Sequence, residues 1–321
     1  MKKIYIPFLV LFLLLVSACG QTSGTEKIEK PTIKIGYLPI THAGPLYLDA
    51  HLHHGEFENY SIEMVKFGSW PDLMDALNTG RIDGASVLIE LAMKAREQGI
   101  DLKAIALGHK DGNVMITSKE IEKTEDLVGK TYAIPHKFST HNLLLNEMMK
   151  KDGFTYEDVN VVEMPPAEMP AALAENRIAG YVVAEPFGAH SVVLGHGKVH
   201  YHSNEIWPDS YCCVLVLRND FIQQHEEVTH SFVKQYVESG KRANERGKEL
   251  FESFATFMQV DEEVLDLSLE WISFAELRIE EEEYNKLSQF MVEMGLSEQP
   301  PAYEDFVDHS FIEDVQNVRE R

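Results

Sequence analysis

Cysteine is scarce in this chain: three occur in 321 residues, at positions 19, 212 and 213. That excludes a small disulfide-stapled scaffold, which needs many spaced cysteines. Basic residues are also outnumbered, with 29 Lys and Arg against 52 Asp and Glu and a net charge of −23. Nucleic acid is excluded as a partner, because binding it requires a basic footprint. Beyond the first sixteen residues no stretch is long and apolar enough to span a bilayer. The common catalytic signatures are missing too. There is no G-x-S-x-G elbow, no H-E-x-x-H pair, no P-loop and no Gly-rich dinucleotide fingerprint. These absences remove the common routes to catalysis without excluding it; no catalytic residue and no cofactor is assigned, and a non-enzyme is expected.

What is present begins at the amino terminus. Lys2 and Lys3 precede an apolar run from Ile4 to Val16, followed by Ser17-Ala18-Cys19. A charged start, a short apolar core and small residues make a secretory signal, and the core is too short for a comfortable membrane span. Val16-Ser17-Ala18-Cys19 resembles the bacterial lipobox. The resemblance implies a signal peptide over 1–18, lipid attachment at Cys19, and a place on the extracytoplasmic face of the cell membrane. Residues 19–31 are mostly small or polar and read as a flexible tether. Loss of Lys2 and Lys3 with the signal takes the net charge from −23 to −25. An anion site in such a chain must supply its own backbone amides or local positive potential.

From Thr32 onward short apolar runs alternate with helical patterns, which indicates parallel βαβ units. Strands are predicted over 33–38, 60–67, 82–87, 102–107, 130–134, 159–163 and 180–184. The segment 75–87 aligns without gaps on 171–183, each reading as helix, tight turn at Gly80 or Asn176, then a buried strand. Ile40-Thr41-His42 is echoed by Ser139-Thr140-His141. The expected architecture is α/β with two related lobes, each a mainly parallel sheet flanked by helices. Lobe 1 takes residues 32–118 and 209–321, and lobe 2 is inserted as 119–208. After Asp220 the pattern is helical, ending in a helix over 305–318. Residues 211–217 read as a strand returning to lobe 1. In a strand Cys212 and Cys213 point to opposite faces, so they are read as core thiols rather than a disulfide or a metal pair.

Ligands of facing α/β lobes bind at the carboxyl ends of the strands, where helix N-termini present free N–H groups. The loops expected there carry Thr41 and His42, Ser69 and Trp70, Leu88 and Ile89, His136, Ser139, Thr140 and His141, and Glu185 with Phe187. Thr41 and Ser69 are equally readable as helix caps, and Trp70 as cleft wall or core. His51 and His54 are spaced for one helix face, but lack partners at ligand spacing, so no metal site is assigned. Glu185 argues against a small anion and for an amine or a pyrimidine.

Ile35-Gly36-Tyr37-Leu38-Pro39, Ala76-Leu77-Asn78-Thr79-Gly80-Arg81-Ile82-Asp83, Asp126-Leu127-Val128-Gly129-Lys130, Ser139-Thr140 and Ala184-Glu185-Pro186-Phe187 stand in a recognisable order. As a set they resemble the nitrate/sulfonate/taurine class of ABC-transporter substrate-binding proteins, which shares its fold with the THI5-like pyrimidine proteins. The resemblance spans about Thr32 to Asp220. It implies a two-lobed periplasmic-binding-protein fold of type II and a monomer. Such a protein closes on a small solute and passes it to an ABC permease driven by its ATPase subunit. His42 and the bulky Pro135-His136-Lys137-Phe138-Ser139 depart from the usual pattern, so no member's solute transfers directly. The alternatives are a receptor for a thiamin-pyrimidine-like heterocycle, or an exported THI5-like or metal-binding protein that uses cleft histidines.

Overall fold

The computed structural model describes residues 30–317; the expected signal and Cys19 lie outside them. The strands are β1 (Thr32–Tyr37), β2 (Ser61–Lys66), β3 (Gly84–Leu88), β4 (Leu102–Leu107), β5 (Lys110–Asp111) and β6 (Asn113–Thr117). There follow β7 (Thr131–Ile134), β8 (Asn160–Glu163), β9 (Gly180–Ala184), β10 (Lys198–His202), β11 (Cys213–Arg218) and β12 (Ile272–Ser273). They form two five-stranded sheets, ordered β2-β1-β3-β11-β4 and β10-β6-β9-β7-β8. Read from the β8 edge, the second sheet repeats the first. In each, three parallel strands are followed by one antiparallel strand, β11 or β6. The central β3 and β9 are buried at all five positions, whereas the edge strands β2 and β8 alternate or face water. Continuous apolar runs belong in such two-sided burial.

The helices before the returning strand are α1 (Gly44–Leu52), α2 (Trp70–Asn78), α3 (Ile89–Glu97), α4 (Thr140–Lys151), α5 (Met169–Ala174), α6 (Phe187–Val193) and α7 (Ser203–Ile206). Beyond β11 come α8 (Asn219–Gln224), α9 (Glu226–Asn244), α10 (Lys248–Phe257), α11 (Glu262–Glu270), α12 (Glu281–Glu293), α13 (Tyr303–Phe306) and α14 (Ser310–Asn317). The aligned repeats are real units of structure: α2 leads to β3 and α5 to β9. Each helix ends through a left-handed residue, Gly80 at φ +72° and Asn176 at φ +56°.

Three expectations change. The strand β6 pairs with β9, so the first crossover lies at 108–112 rather than beyond residue 118. Neither β6 nor β10 was recognised in the sequence, and β6 lies within the span given to lobe 1. The C-terminal helices do not all belong to lobe 1. Helices α9 and α10 pack on α1, whereas α11 packs on α6 of the second lobe. The helix expected over 305–318 is broken at Val307, which is extended and bridges Ala104 of β4.

Gly84 and Gly180 occupy the same position in the two repeats. A Cβ at Gly84 would lie 2.5 Å from the Val216 carbonyl oxygen, and one at Gly180 would lie 2.5 Å from that of Ile116. Neither backbone oxygen can yield, so both sites are closed to any side chain. We expect Gly84→Ala and Gly180→Ala each to cost about 1–3 kcal/mol, read as a lowered urea midpoint at unchanged m-value.

Candidate functional site

The carboxyl ends of β1, β3, β7 and β9 converge, and the antiparallel strands bring two amino ends to the same level. Cys213 at the start of β11 lies opposite Leu88 at the end of β3, and Asn113 at the start of β6 lies opposite Ala184. Thr41, His42, Leu88, Ile89, Glu90, Ser139, Thr140, His141 and Glu185 are all at most 1% exposed here. Bonds between the lobes close the arrangement. The Thr41 amide donates to the Glu185 carbonyl at 2.8 Å, and its hydroxyl reaches the same oxygen at 3.2 Å. The Thr140 hydroxyl lies 2.6 Å from Glu90 Oε1 and also contacts the Tyr211 carbonyl. Within the first lobe the Ile89 amide donates to the Cys212 carbonyl at 2.8 Å, extending the β3–β11 ladder to the edge of the centre.

Local sequence explains the placements. Ser139 caps α4 by accepting from the Asn142 amide at 3.2 Å, which sets Thr140 and His141 in its first turn. Ser69 caps α2 in the same way and sits half-buried, with Trp70 next to it 2% exposed in the lobe 1 core. Trp70 is thus packed in the hydrophobic core. His136 is half-buried beside Glu163 at 3.8 Å, and its Nδ1 accepts from the Phe138 amide. Phe187 is partly buried against the cores on either side of the second sheet.

The sequence assigns no role to His109 and reads Cys212 and Cys213 as core thiols, whereas the structure brings all three beside His42. His109 lies on the first crossover, and its ring lies against that of His42 with centroids 3.5 Å apart and planes tilted by 30°. The strand begins only at Cys213, so the opposite-face rule does not govern Cys212. The two sulfurs lie 3.8 Å apart, both buried and free. The only signal in the sequence was a histidine in a polar turn and a cysteine pair at the edge of an apolar run.

Burial dominates the electrostatics. It pushes Glu90 up to about 8, against the Thr140 hydrogen bond, and Glu185 up to about 7, against bonds from the Ala189 amide and Ser268 hydroxyl. It holds His109 and His141 well below the usual imidazole range, helped in each case by the nearby His42. No Lys or Arg is buried among the described residues.

Two α/β lobes joined through crossovers around a buried polar centre define the class of hinged solute-binding proteins. The chain belongs to the NMT1-like family, whose model matches residues 26–256. It is 44% identical to a ligand-binding component of an ABC-type import system from Staphylococcus aureus solved with zinc bound. That alignment covers 89% of this chain and 99% of the other, at a TM-score of 0.85. The nitrate-binding protein NrtA of Synechocystis shares the fold at a TM-score of 0.75 and 17% identity, over 91% of this chain and 90% of that one. Among curated relatives, the taurine-binding periplasmic protein of Escherichia coli is 29% identical, with 56% of each chain covered. The chain spans about a third to just over half the length of the curated relatives it matches. The binding proteins among them are substrate-binding components of ABC import systems and not enzymes.

The raised carboxyls set a pH dependence. Between the unfolded value near 4.5 and their folded values, Glu90 and Glu185 hold protons in the native state that the unfolded chain has released. Stability therefore falls as pH rises through that window, by about 1.4 kcal/mol per pH unit for each group. The depressed histidines act in the opposite sense below 6.5. Urea unfolding from pH 6.5 to 8 should show the decline, and Glu90→Gln should flatten it.

Proposed function

We propose that this chain is the solute receptor of an ABC importer. It captures a small solute between its lobes and delivers it to a permease and ATPase pair. Lipid on Cys19 tethers it to the extracytoplasmic face of the membrane. The observation that carries this reading is the convergence of strand-end loops from both lobes on one buried centre, closed by hydrogen bonds between the lobes. Short tethering supports the role, because it keeps a receptor at high effective concentration near its permease. The lipobox at 16–19 supports the lipid.

The donor set bears on the solute. A nitrate-class anion depends on helix N-termini or cations. Here α6 already has its Ala189 amide taken by the Glu185 carboxyl at 2.9 Å, and Glu90 stands in the first turn of α3. Two buried carboxyls, imidazoles and hydroxyls favour a solute that donates hydrogen bonds or carries positive charge, such as an amino-pyrimidine or another small amine. The zinc bound to the S. aureus relative supports a second reading, in which the chain takes a divalent metal ion.

Thermal shift of the full-length chain carrying Cys19→Ser, against nitrate, sulfonates, bicarbonate, amino-pyrimidines and divalent metals, tests both readings. A stabilising pyrimidine or amine should lose at least about tenfold in affinity with Thr140→Ala or His42→Ala, the loss of one buried hydrogen bond being about 1–3 kcal/mol. Stabilisation by nitrate alone would overturn the preference for a donor-bearing solute. Labelled fatty acid should enter the wild-type chain and not Cys19→Ser, and its absence from wild type would remove the tether.

A further inference from the structure

The second reading names no residues, and the structure supplies them. His42, His109, Cys212 and Cys213 are all buried, and their donor atoms lie within 4.8 Å of one another. Two thiols and two imidazoles make the Cys2His2 set of structural zinc sites. In a tetrahedral site with zinc–sulfur bonds of about 2.3 Å the two sulfurs stand about 3.8 Å apart. The observed separation of Cys212 Sγ and Cys213 Sγ is 3.8 Å.

The hydrogen bonds point the same way. His42 Nε2–H donates to the Gly112 carbonyl at 3.1 Å, which fixes the tautomer and leaves the Nδ1 lone pair free. That nitrogen is buried with no hydrogen-bond partner. Ligating histidines are commonly held this way, with the second ring nitrogen bonded to a carbonyl. The Cys213 amide reaches His109 Nε2 at a long 3.4 Å, the Lys110 and Asp111 backbone lies beside the ring, and Nδ1 is buried without a well-formed hydrogen bond. His141 enters from the second lobe with neither ring nitrogen satisfied. Buried polar atoms left unpaired in this number mark a place built for something else.

We propose that His42, His109, Cys212 and Cys213 bind one zinc-class divalent ion at the hinge. The ligands come from the loop after β1, the first crossover, the segment leading out of the second crossover, and the start of β11. The ion therefore ties both crossovers to each other and to the first lobe. Each thiol gives its proton to solvent as its metal–sulfur bond forms. This assignment rests on the second reading for the presence of a metal, and adds which atoms hold it.

Cobalt(II) titration of the reduced full-length chain carrying Cys19→Ser is the test, because Cys212 and Cys213 are then its only thiols. The expected result is one cobalt per chain, a sulfur-to-cobalt charge-transfer band, intense tetrahedral visible bands, and displacement by zinc. Cys212→Ser and His109→Ala should each weaken binding at least about 100-fold, since removing even an outer-shell partner costs 10–100-fold. His54→Ala, at an exposed site, should change nothing. Zinc stabilisation without a sulfur-to-cobalt band would leave the second reading standing and overturn this one. No metal binding at all would overturn both. If the variants fail to fold, the spectrum of the parent chain still decides the matter.

Discussion

The antiparallel return of β11 between β3 and β4 is the constraint on which the rest depends. A chain that leaves the first lobe after β4 and re-enters it in the middle of the same sheet must cross between lobes twice. The second lobe solves its own closure identically, with β6 lying antiparallel beside β9. The consequence is positional. Parallel strands deliver their carboxyl ends to the cleft, and each antiparallel strand delivers its amino end to the same place. The site is thus lined by residues that leave sheets and by residues that enter them.

The overall acidity of the chain and the character of the site are separate matters. Most of the excess carboxylates lie on the surface, where water and salt screen them. The carboxyls at the centre are different: Glu90 and Glu185 are fully buried, and each is bonded to a hydroxyl. Burial there favours the protonated carboxyls, and it also favours neutral rings at His109 and His141. A centre of neutral hydrogen-bonding groups differs from a cationic trap in what it selects. It distinguishes ligands by donor pattern and coordination rather than by charge alone.

Much of the fold could be read from the letters, because burial on both faces leaves continuous apolar runs and helix ends leave Gly or Asn. The match between segments 75–87 and 171–183 marked true repeats for that reason. Thr41, His42, Thr140 and Glu185 were legible because a helix follows each strand end directly. His109 and Cys212 were not, since nothing local marks where a crossover passes. Their meaning arises only when residues about a hundred positions apart meet. Trp70 was ambiguous in sequence for another reason: an aromatic at a helix start satisfies both core and cleft patterns, and only packing decides. The strand β6 was missed because nothing in the polar turn 108–112 before it says that the chain changes sheets there.

Helix α11 is covalently continuous with elements that pack on the first lobe, yet it rests on the second. Ser268 donates to Glu185 at 2.9 Å, and Trp271 stands edge-on to His202 of β10 at 5.0 Å. The short β12 meanwhile pairs with β5 on the first crossover. Two crossovers alone define an axis about which lobes swing freely, like a door on its pins. A third attachment runs through the C-terminal region, so parting the lobes must either carry α11 along or break its contacts with α6.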